Sequence, residues 1–155
     1  VIHIDFVEEA GTWPSLVVIR SLIEPAIVCS ISTAQLCVPE HAEMAFILAD
    51  DARIQNLNQQ WRHQDKPTNV LSFPFDVPEG VELNLLGDLV ICAPIVAEEA
   101  NAQNKLLFDH WAHMVIHGCL HLLGYDHIND NDANEMEALD IKILAQLAIN
   151  NPYDI

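Results

Sequence analysis

Residues 106–127 read LLFDHWAHMVIHGCLHLLGYDH, and the rest of the fold is built around this stretch. Its apolar positions predict a long buried helix over 106–123, and Gly124 is of the type that commonly ends helices. His117 and His121 stand four positions apart, so a helix places both imidazoles on one face. Gly124 tolerates left-handed backbone angles, which lets the chain fold back and bring His127 towards that pair.

These three histidines have the spacing of a metal site. Two imidazoles one helical turn apart are a common zinc-binding pair. Three histidines with an open fourth position are the ligand set of a catalytic zinc, because structural sites usually fill all four positions. The sequence therefore predicts one zinc ion per chain, bound by His117, His121 and His127 on the central helix and the following turn.

Other polar residues near this pattern are candidates to support the ligands. His113 lies one turn before His117 and could be a fourth ligand, but a straight helix wraps three imidazoles around one ion less well than a turn does. We therefore expect His113 to lie in the core or to contact a ligand. Asp109 and Asp126 are candidate carboxylates for the ring N–H opposite the metal.

The spacing H-x-x-x-H-x-x-G-x-x-H also occurs in metzincin peptidases, in which a glutamate after the first histidine is the general base. Gly118 occupies that position here. Glycine has no side chain that accepts a proton, so a zinc peptidase would lack its central group. Proteolysis is therefore the alternative interpretation and not the preferred one.

Strand and helix patterns surround the central helix. Asp50 or Asp51 can cap a helix, Pro94 can begin one, and Pro25 is expected to break one. The predicted strands cover 1–7, 43–49, 70–75 and 87–92. Besides the central helix, one helix is predicted after Trp13-Pro14, one over about 51–61, one that begins at 93 and one over about 132–148. Pro74 favours an edge position for its strand. The pattern predicts an α+β fold, with a small mixed sheet of about four strands packed with helices, in a single domain over 1–155.

The charge distribution limits how this protein can contact nucleic acid. The net charge is −17, and the chain has only six lysines and arginines. Arg53, Arg62 and Lys66 oppose one acid, Asp65, within 52–75, which gives that segment a net charge of +2. Phosphate contacts dominate nucleic-acid affinity, so an RNA site must be small and local. We expect a neutral or positive cleft beside the metal.

Membrane association and disulfide bonds are both disfavoured. The most apolar segment, 15–31, is interrupted by Arg20, Glu24 and Pro25, whereas a membrane span needs about 18 or more nearly uncharged residues. The four cysteines form no CxxC pair and sit in apolar surroundings. They are predicted to be small buried residues in a reducing cytosol.

Three segments together resemble the YbeY family of bacterial rRNA maturation factors. They are 113–127 (HMVIHGCLHLLGYDH), 61–74 (WRHQDKPTNVLSFP) and 86–91 (LGDLVI). Met136-Glu137 fits as well, and the matches span about 45–148. The chain departs from the family pattern beside Arg62, because Trp61 stands where the family usually has Tyr or Phe, and His63 stands where it has Gly.

The resemblance implies a small α+β fold with one zinc held by His117, His121 and His127. It implies a cytoplasmic zinc-dependent endoribonuclease, a hydrolase of phosphodiester bonds, that acts on single-stranded RNA. The family matures the 16S rRNA 3′ end and takes part in ribosome quality control. Its implied partners are single-stranded rRNA and the ribosomal small subunit or its proteins. The family's functional arginine corresponds to Arg62, which we expect to be catalytic together with His117 and to bind substrate together with Lys66.

The residues leave parts of the mechanism open. Zinc held by three histidines can lower the pKa of bound water to about 7 and polarise a phosphoryl oxygen. The nucleophile is then either that water or the RNA 2′-OH. Trp61, Phe73 and Phe75 flank the basic loop and are candidates for stacking on bases. Besides a peptidase, a non-catalytic zinc-containing ribosome-assembly factor remains an alternative, because an acidic surface suits basic ribosomal proteins.

Overall fold

The computed structural model describes residues 2–9, 16–34, 41–75, 84–126 and 129–153. Within these ranges the chain forms four strands and five helices. In chain order they are β1 (His3–Glu8), α1 (Leu16–Ala34), β2 (Glu43–Ala49), α2 (Asp51–Arg62), β3 (Val70–Pro74), β4 (Leu85–Cys92), α3 (Ala93–Ala102), α4 (Leu107–Leu122) and α5 (Asp130–Gln146). The predicted α+β class is confirmed. That 1–155 forms a single domain stays a prediction.

The sheet is mixed, with strand order β1-β2-β4-β3. β1 and β2 are parallel, as are β2 and β4, whereas β3 runs antiparallel to β4. Pro74 lies at the end of β3, which is an edge strand, as expected for a residue that cannot donate to a ladder.

The sheet is covered on both faces, and β4 shows why. Successive side chains of a strand point to opposite faces. Leu89 and Ile91 pack in the main core with residues of α1, α4 and α5, whereas Val90 and Cys92 pack in a smaller core with Ile54 of α2. Buried apolar residues on both sides fit the position of β4 as one of the two inner strands of the sheet.

The helix α4 lies against the sheet at very short range. A Cβ atom added at Gly118 would collide with Leu89 Cδ1 and lie 3.0 Å from Val70 Cγ2. Ser72 Oγ donates to the Gly118 carbonyl oxygen at 2.8 Å, which ties the edge strand β3 to the helix. Gly118 therefore allows α4 to approach strands β3 and β4 closely.

The helix α1 differs from the prediction. We expected a break near Pro25, but α1 is continuous from Leu16 to Ala34 and contains that proline. A proline in a helix interior costs about 3 kcal/mol. Leu22, Ile23 and Ile27 are buried in the main core, and each fully buried side chain of this kind contributes roughly 1.5–3 kcal/mol. Their burial outweighs the cost of the proline, so the helix continues.

The described cysteines are free thiols. Cys92 and Cys119 are buried and Cys29 is half-buried, while Cys37 lies outside the described residues. Burial raises the pKa of Cys92 and of Cys119 to about 12. Both therefore behave as small apolar side chains, as predicted. Among the described helices, none is long and apolar enough to cross a membrane.

Candidate metal centre

A cleft of about 610 Å³ opens where the C-terminal end of α4 faces β3 and the end of α2. Its lining includes Arg62, Ser72, His117, His121 and Asp126. Arg62 and Asp126 are the charged residues among the described lining residues, so the formal charge there is zero with neutral histidines. A neutral cleft in a chain of net charge −17 agrees with the expectation from the sequence.

The two helical histidines meet in this cleft, with ring centroids 4.8 Å apart. His121 Nδ1 lies 3.0 Å from the Tyr125 carbonyl oxygen. A carbonyl oxygen only accepts, so Nδ1 carries the hydrogen and the ring lone pair is at Nε2. His117 Nδ1 lies 3.2 Å from Asp140 Oδ2, and an ionised carboxylate imposes the same tautomer. Metal-binding histidines are commonly held in this way, so the pair fits a metal at its Nε2 atoms.

The turn after α4 brings the chain back to the cleft. Gly124 has φ +103°, a left-handed backbone angle that glycine adopts at low cost. The Tyr125 N–H donates to the Leu120 carbonyl oxygen at 3.0 Å, and Asp126 lines the cleft. His127 lies outside the described residues. Its role as the third ligand stays a prediction.

Asp140 of α5 supports the site and was not anticipated from the sequence. It is fully buried, and its Oδ2 contacts His117 Nδ1 at 3.2 Å, His113 Nε2 at 3.4 Å and the Tyr153 hydroxyl at 2.6 Å. Burial alone would raise the pKa of Asp140, but hydrogen bonds from His113, His117 and Tyr153 lower it to about 2. Asp140 is therefore ionised. An acid four residues after Met136, within the apolar stripe of α5, is the sequence signal that marks it.

His113, His117 and Asp140 could themselves hold a metal, because one ligand atom of each lies within 4.8 Å of the others. That arrangement would use His117 Nδ1 and would lie in the core, since Asp140 is fully buried and His113 is 7% exposed. A catalytic metal needs an open position for the substrate. The cleft offers one, so we favour the Nε2 side of His117 and assign His113 a supporting position, as its sequence context indicated.

The end of α2 and the edge strand hold Arg62 beside the cleft. Its Nη2 donates to the Ser72 carbonyl oxygen at 2.7 Å, and its guanidinium carbon lies 5.0 Å from the centre of the Phe73 ring. Among the described residues, no carboxylate lies within ion-pair distance of Arg62. Asp65, its possible surface partner, instead accepts from Gln55 Nε2 at 3.0 Å.

His63 has a backbone conformation that glycine adopts at low cost. It follows α2 with φ 58° and ψ 32°, a left-handed conformation, and its N–H reaches the Asn58 and Gln59 carbonyl oxygens. Histidine adopts this conformation at a cost of about 1–2 kcal/mol. The histidine at position 63 therefore stores local strain directly after Arg62, which lines the cleft.

The other predicted contacts are less central. Lys66 is exposed on the 63–69 loop and is not one of the described residues that line the cleft. Trp61 is 57% exposed, and its ring packs edge-on against Phe73 at 6.4 Å. Asp109 does not contact a candidate ligand in any described hydrogen bond. The carboxylate that accepts from the ring N–H of His117 is Asp140 instead.

Together, the sheet, the buried helix and the histidine-lined cleft define a small α+β protein with a site that could hold a metal. The family model described as Endoribonuclease YbeY matches residues 19–148. A Colwellia psychrerythraea protein named Endoribonuclease YbeY is 60% identical over 111 residues, which cover 72% of each chain. A protein of that name from Alteromonas mediterranea is 59% identical over 112 residues, covering 72% of this chain and 71% of the relative. The chain belongs to the YbeY endoribonuclease family, which confirms the resemblance.

A solved structure supports the fold. The solution structure of TM1509 from Thermotoga maritima superimposes with a TM-score of 0.57 at 27% sequence identity. The match covers 98% of this chain and 96% of that one. The similarity therefore extends over nearly the full length of both chains.

Proposed function

We propose that this protein is a zinc-dependent, single-strand-specific endoribonuclease that acts in 16S rRNA 3′-end maturation and ribosome quality control. The observation that carries the proposal is the shared cleft, in which two histidines with fixed tautomers face an arginine that has no described carboxylate partner. Family membership supplies the reaction class.

Each residue has a defined part in this proposal. His117 and His121 would bind one zinc ion through Nε2, and His127 would complete the set of three. When bound, zinc acts as a Lewis acid that stabilises charge on a phosphoryl oxygen. Arg62 would donate to the scissile phosphate and offset the charge that builds up in the transition state. Its bonds to backbone carbonyls hold the guanidinium in place before the substrate arrives.

The substrate preference follows from the surroundings of Arg62. Trp61 is exposed and Phe73 is half-buried, so aromatic faces lie next to the arginine. Single-stranded RNA presents unstacked bases that can stack on such rings, whereas bases in a duplex cannot. Lys66 on the adjoining loop would add a phosphate contact outside the cleft.

The charge of the whole protein supports a role on the ribosome. A net charge of −17 repels RNA phosphates, and only the segment 52–75, with its net charge of +2, offsets this repulsion locally. Basic proteins of the ribosomal small subunit would complement this surface and bring the cleft to the rRNA. Free buried thiols fit a cytoplasmic location, where thiols stay reduced.

Cleavage of a single-stranded RNA that spans the 16S rRNA 3′ end would test the proposal. Highly purified wild-type protein should cut it, and a chelator should abolish cutting until zinc is restored. Arg62→Ala should lower the rate by about 100-fold or more. His3→Ala, a change at an exposed strand residue, serves as the matched control. Cutting that persists in Arg62→Ala or in chelator would point to a contaminating nuclease and contradict the proposal.

A peptidase is not favoured, because of the packing at Gly118. The metzincin general base would have to occupy this position, where even a Cβ atom collides with Leu89. The site therefore has no room for the carboxylate that amide hydrolysis requires. The same RNA-cleavage samples should leave casein intact.

A further inference from the structure

The carboxylate of Asp140 depends on a small number of donors. All of its described hydrogen bonds fall on Oδ2, whereas Oδ1 is buried and has no hydrogen-bond partner among the described residues. Asp140 is fully buried, and a buried charge is tolerated only where its partners are well placed. Each donor to Oδ2 therefore affects the position of this oxygen. Because Oδ2 also accepts from His117 Nδ1, each donor affects the orientation of the His117 ring as well.

The shortest of these bonds comes from Tyr153, at 2.6 Å. A carboxylate oxygen only accepts, so the phenol hydrogen points to Asp140. The phenol oxygen lies 3.1 Å from His113 Nε2, and the Tyr153 ring packs edge-on against the His113 ring at 5.3 Å. The Tyr153 N–H donates to Asn151 Oδ1 at 2.9 Å, which shapes the turn that carries the phenol inward.

Tyr153 lies outside the part of the chain that the family model matches, which ends at residue 148. The Ile149 N–H donates to the Leu144 carbonyl oxygen of α5 at 2.9 Å, and Ile149 is buried in the main core together with residues of α4. The segment after α5 therefore turns back into the core. A C-terminal extension of the matched segment therefore reaches the interior group that orients His117.

We propose that Tyr153 is a positioning residue of the metal site, acting through Asp140 to hold the His117 ring with Nδ1–H towards the core and Nε2 as the metal ligand. The inference rests on the proposed function. If the phenol hydroxyl is lost, Asp140 keeps two weaker contacts at 3.2 and 3.4 Å and can shift. The imidazole then loses part of its orientation before the metal binds.

Zinc affinity, measured by competition with a chromophoric chelator, tests this directly. Removal of an outer partner of a metal-binding histidine weakens metal binding by roughly 10–100-fold. We expect Asp140→Asn to weaken zinc binding by about 100-fold. Tyr153→Phe keeps the aromatic ring and should weaken zinc binding by about tenfold. The double variant should bind zinc no more weakly than Asp140→Asn alone, because Tyr153 acts through that carboxylate.

Ser30→Ala is the matched control. Ser30 is buried in α1, and its hydroxyl donates to the Ala26 carbonyl oxygen at 2.7 Å, so the change also removes one buried hydroxyl. It should lower the melting temperature without changing zinc affinity. In metal-free protein, ¹⁵N NMR should show His117 as the Nδ1–H tautomer in the wild type and as a mixture in Tyr153→Phe.

The outcomes separate this inference from the proposed function. Wild-type protein that binds zinc and cuts RNA, together with a Tyr153→Phe variant of unchanged zinc affinity, would overturn the positioning role alone. Additive losses in the double variant would overturn the route through Asp140. Wild-type protein that binds no zinc would overturn both proposals.

Discussion

Replacement of Gly118 by glutamate would complete a metzincin motif on α4, since the sequence would then read H-E-x-x-H-x-x-G-x-x-H. From the motif alone, Gly118→Glu should create a peptidase. The packing of α4 leads to a different expectation. A Cβ atom at this position collides with Leu89 Cδ1 and lies 3.0 Å from Val70 Cγ2, and Leu89 is fully buried. We expect the variant to lose its fold.

The magnitude can be estimated in two steps. Gly118→Ala adds one methyl group to a filled core, which costs about 1–3 kcal/mol, but it gains about 1 kcal/mol in helix propensity. Its net cost is therefore about 0–2 kcal/mol. Gly118→Glu adds a buried carboxylate without a partner, which costs several kcal/mol more. The total approaches the stability of a whole domain, about 5–15 kcal/mol.

Urea unfolding followed by circular dichroism measures these costs. Asn101→Glu, which adds the same charge at an exposed position of α3, is the matched control and should change stability by less than about 0.5 kcal/mol. A Gly118→Glu protein within about 1 kcal/mol of the wild type, or one that cleaves casein in a zinc-dependent way, would refute the packing argument.

Three further predictions follow from other parts of the molecule. His121→Ala should reduce both zinc binding and thermal stability, because metal binding couples to folding, whereas Arg62→Ala should leave both nearly unchanged; equal destabilisation in calorimetry would make Arg62 structural. His63→Gly should relieve left-handed strain and stabilise the protein by about 1 kcal/mol, which raises the melting temperature by roughly 2–4 °C; an unchanged or lower value would contradict strain at this residue. Burial raises the pKa of Cys92 and Cys119 from 9.0 to about 12, so the folded state holds protons that the unfolded chain releases. Stability should therefore be intact below pH 9 and fall as the pH rises towards 12. Cys119→Ala should flatten that fall in urea titrations at several pH values.

Local patterns were enough for most of the elements. The strand predicted over 43–49 is β2 (Glu43–Ala49), and the helix predicted over 106–123 is α4 (Leu107–Leu122). Asp50 caps α2 by accepting from the Arg53 N–H, as its position indicated. These features depend on neighbours a few residues away, so the sequence states them directly. The break predicted near Pro25 was wrong, because long-range burial outweighed the local cost of a proline.

Some features of the site were likewise available from the sequence, and others depended on the tertiary structure. The pairing of His117 with His121 follows from helical periodicity, and the family resemblance follows from contiguous motifs, so both were available from the sequence alone. Contacts between distant segments were not. Asp140 lies 23 residues beyond His117, and Tyr153 lies 13 residues beyond Asp140. The apolar stripe of α5 marks Asp140 as an inward-facing acid, but no local pattern encodes which histidine it contacts. The reason for a glycine at position 118 likewise depends on Leu89 of another strand. The sequence by itself predicted which histidines would bind a metal, and the tertiary packing decided which groups hold His117 and His121 in place, because orientation depends on contacts that only the folded chain brings together.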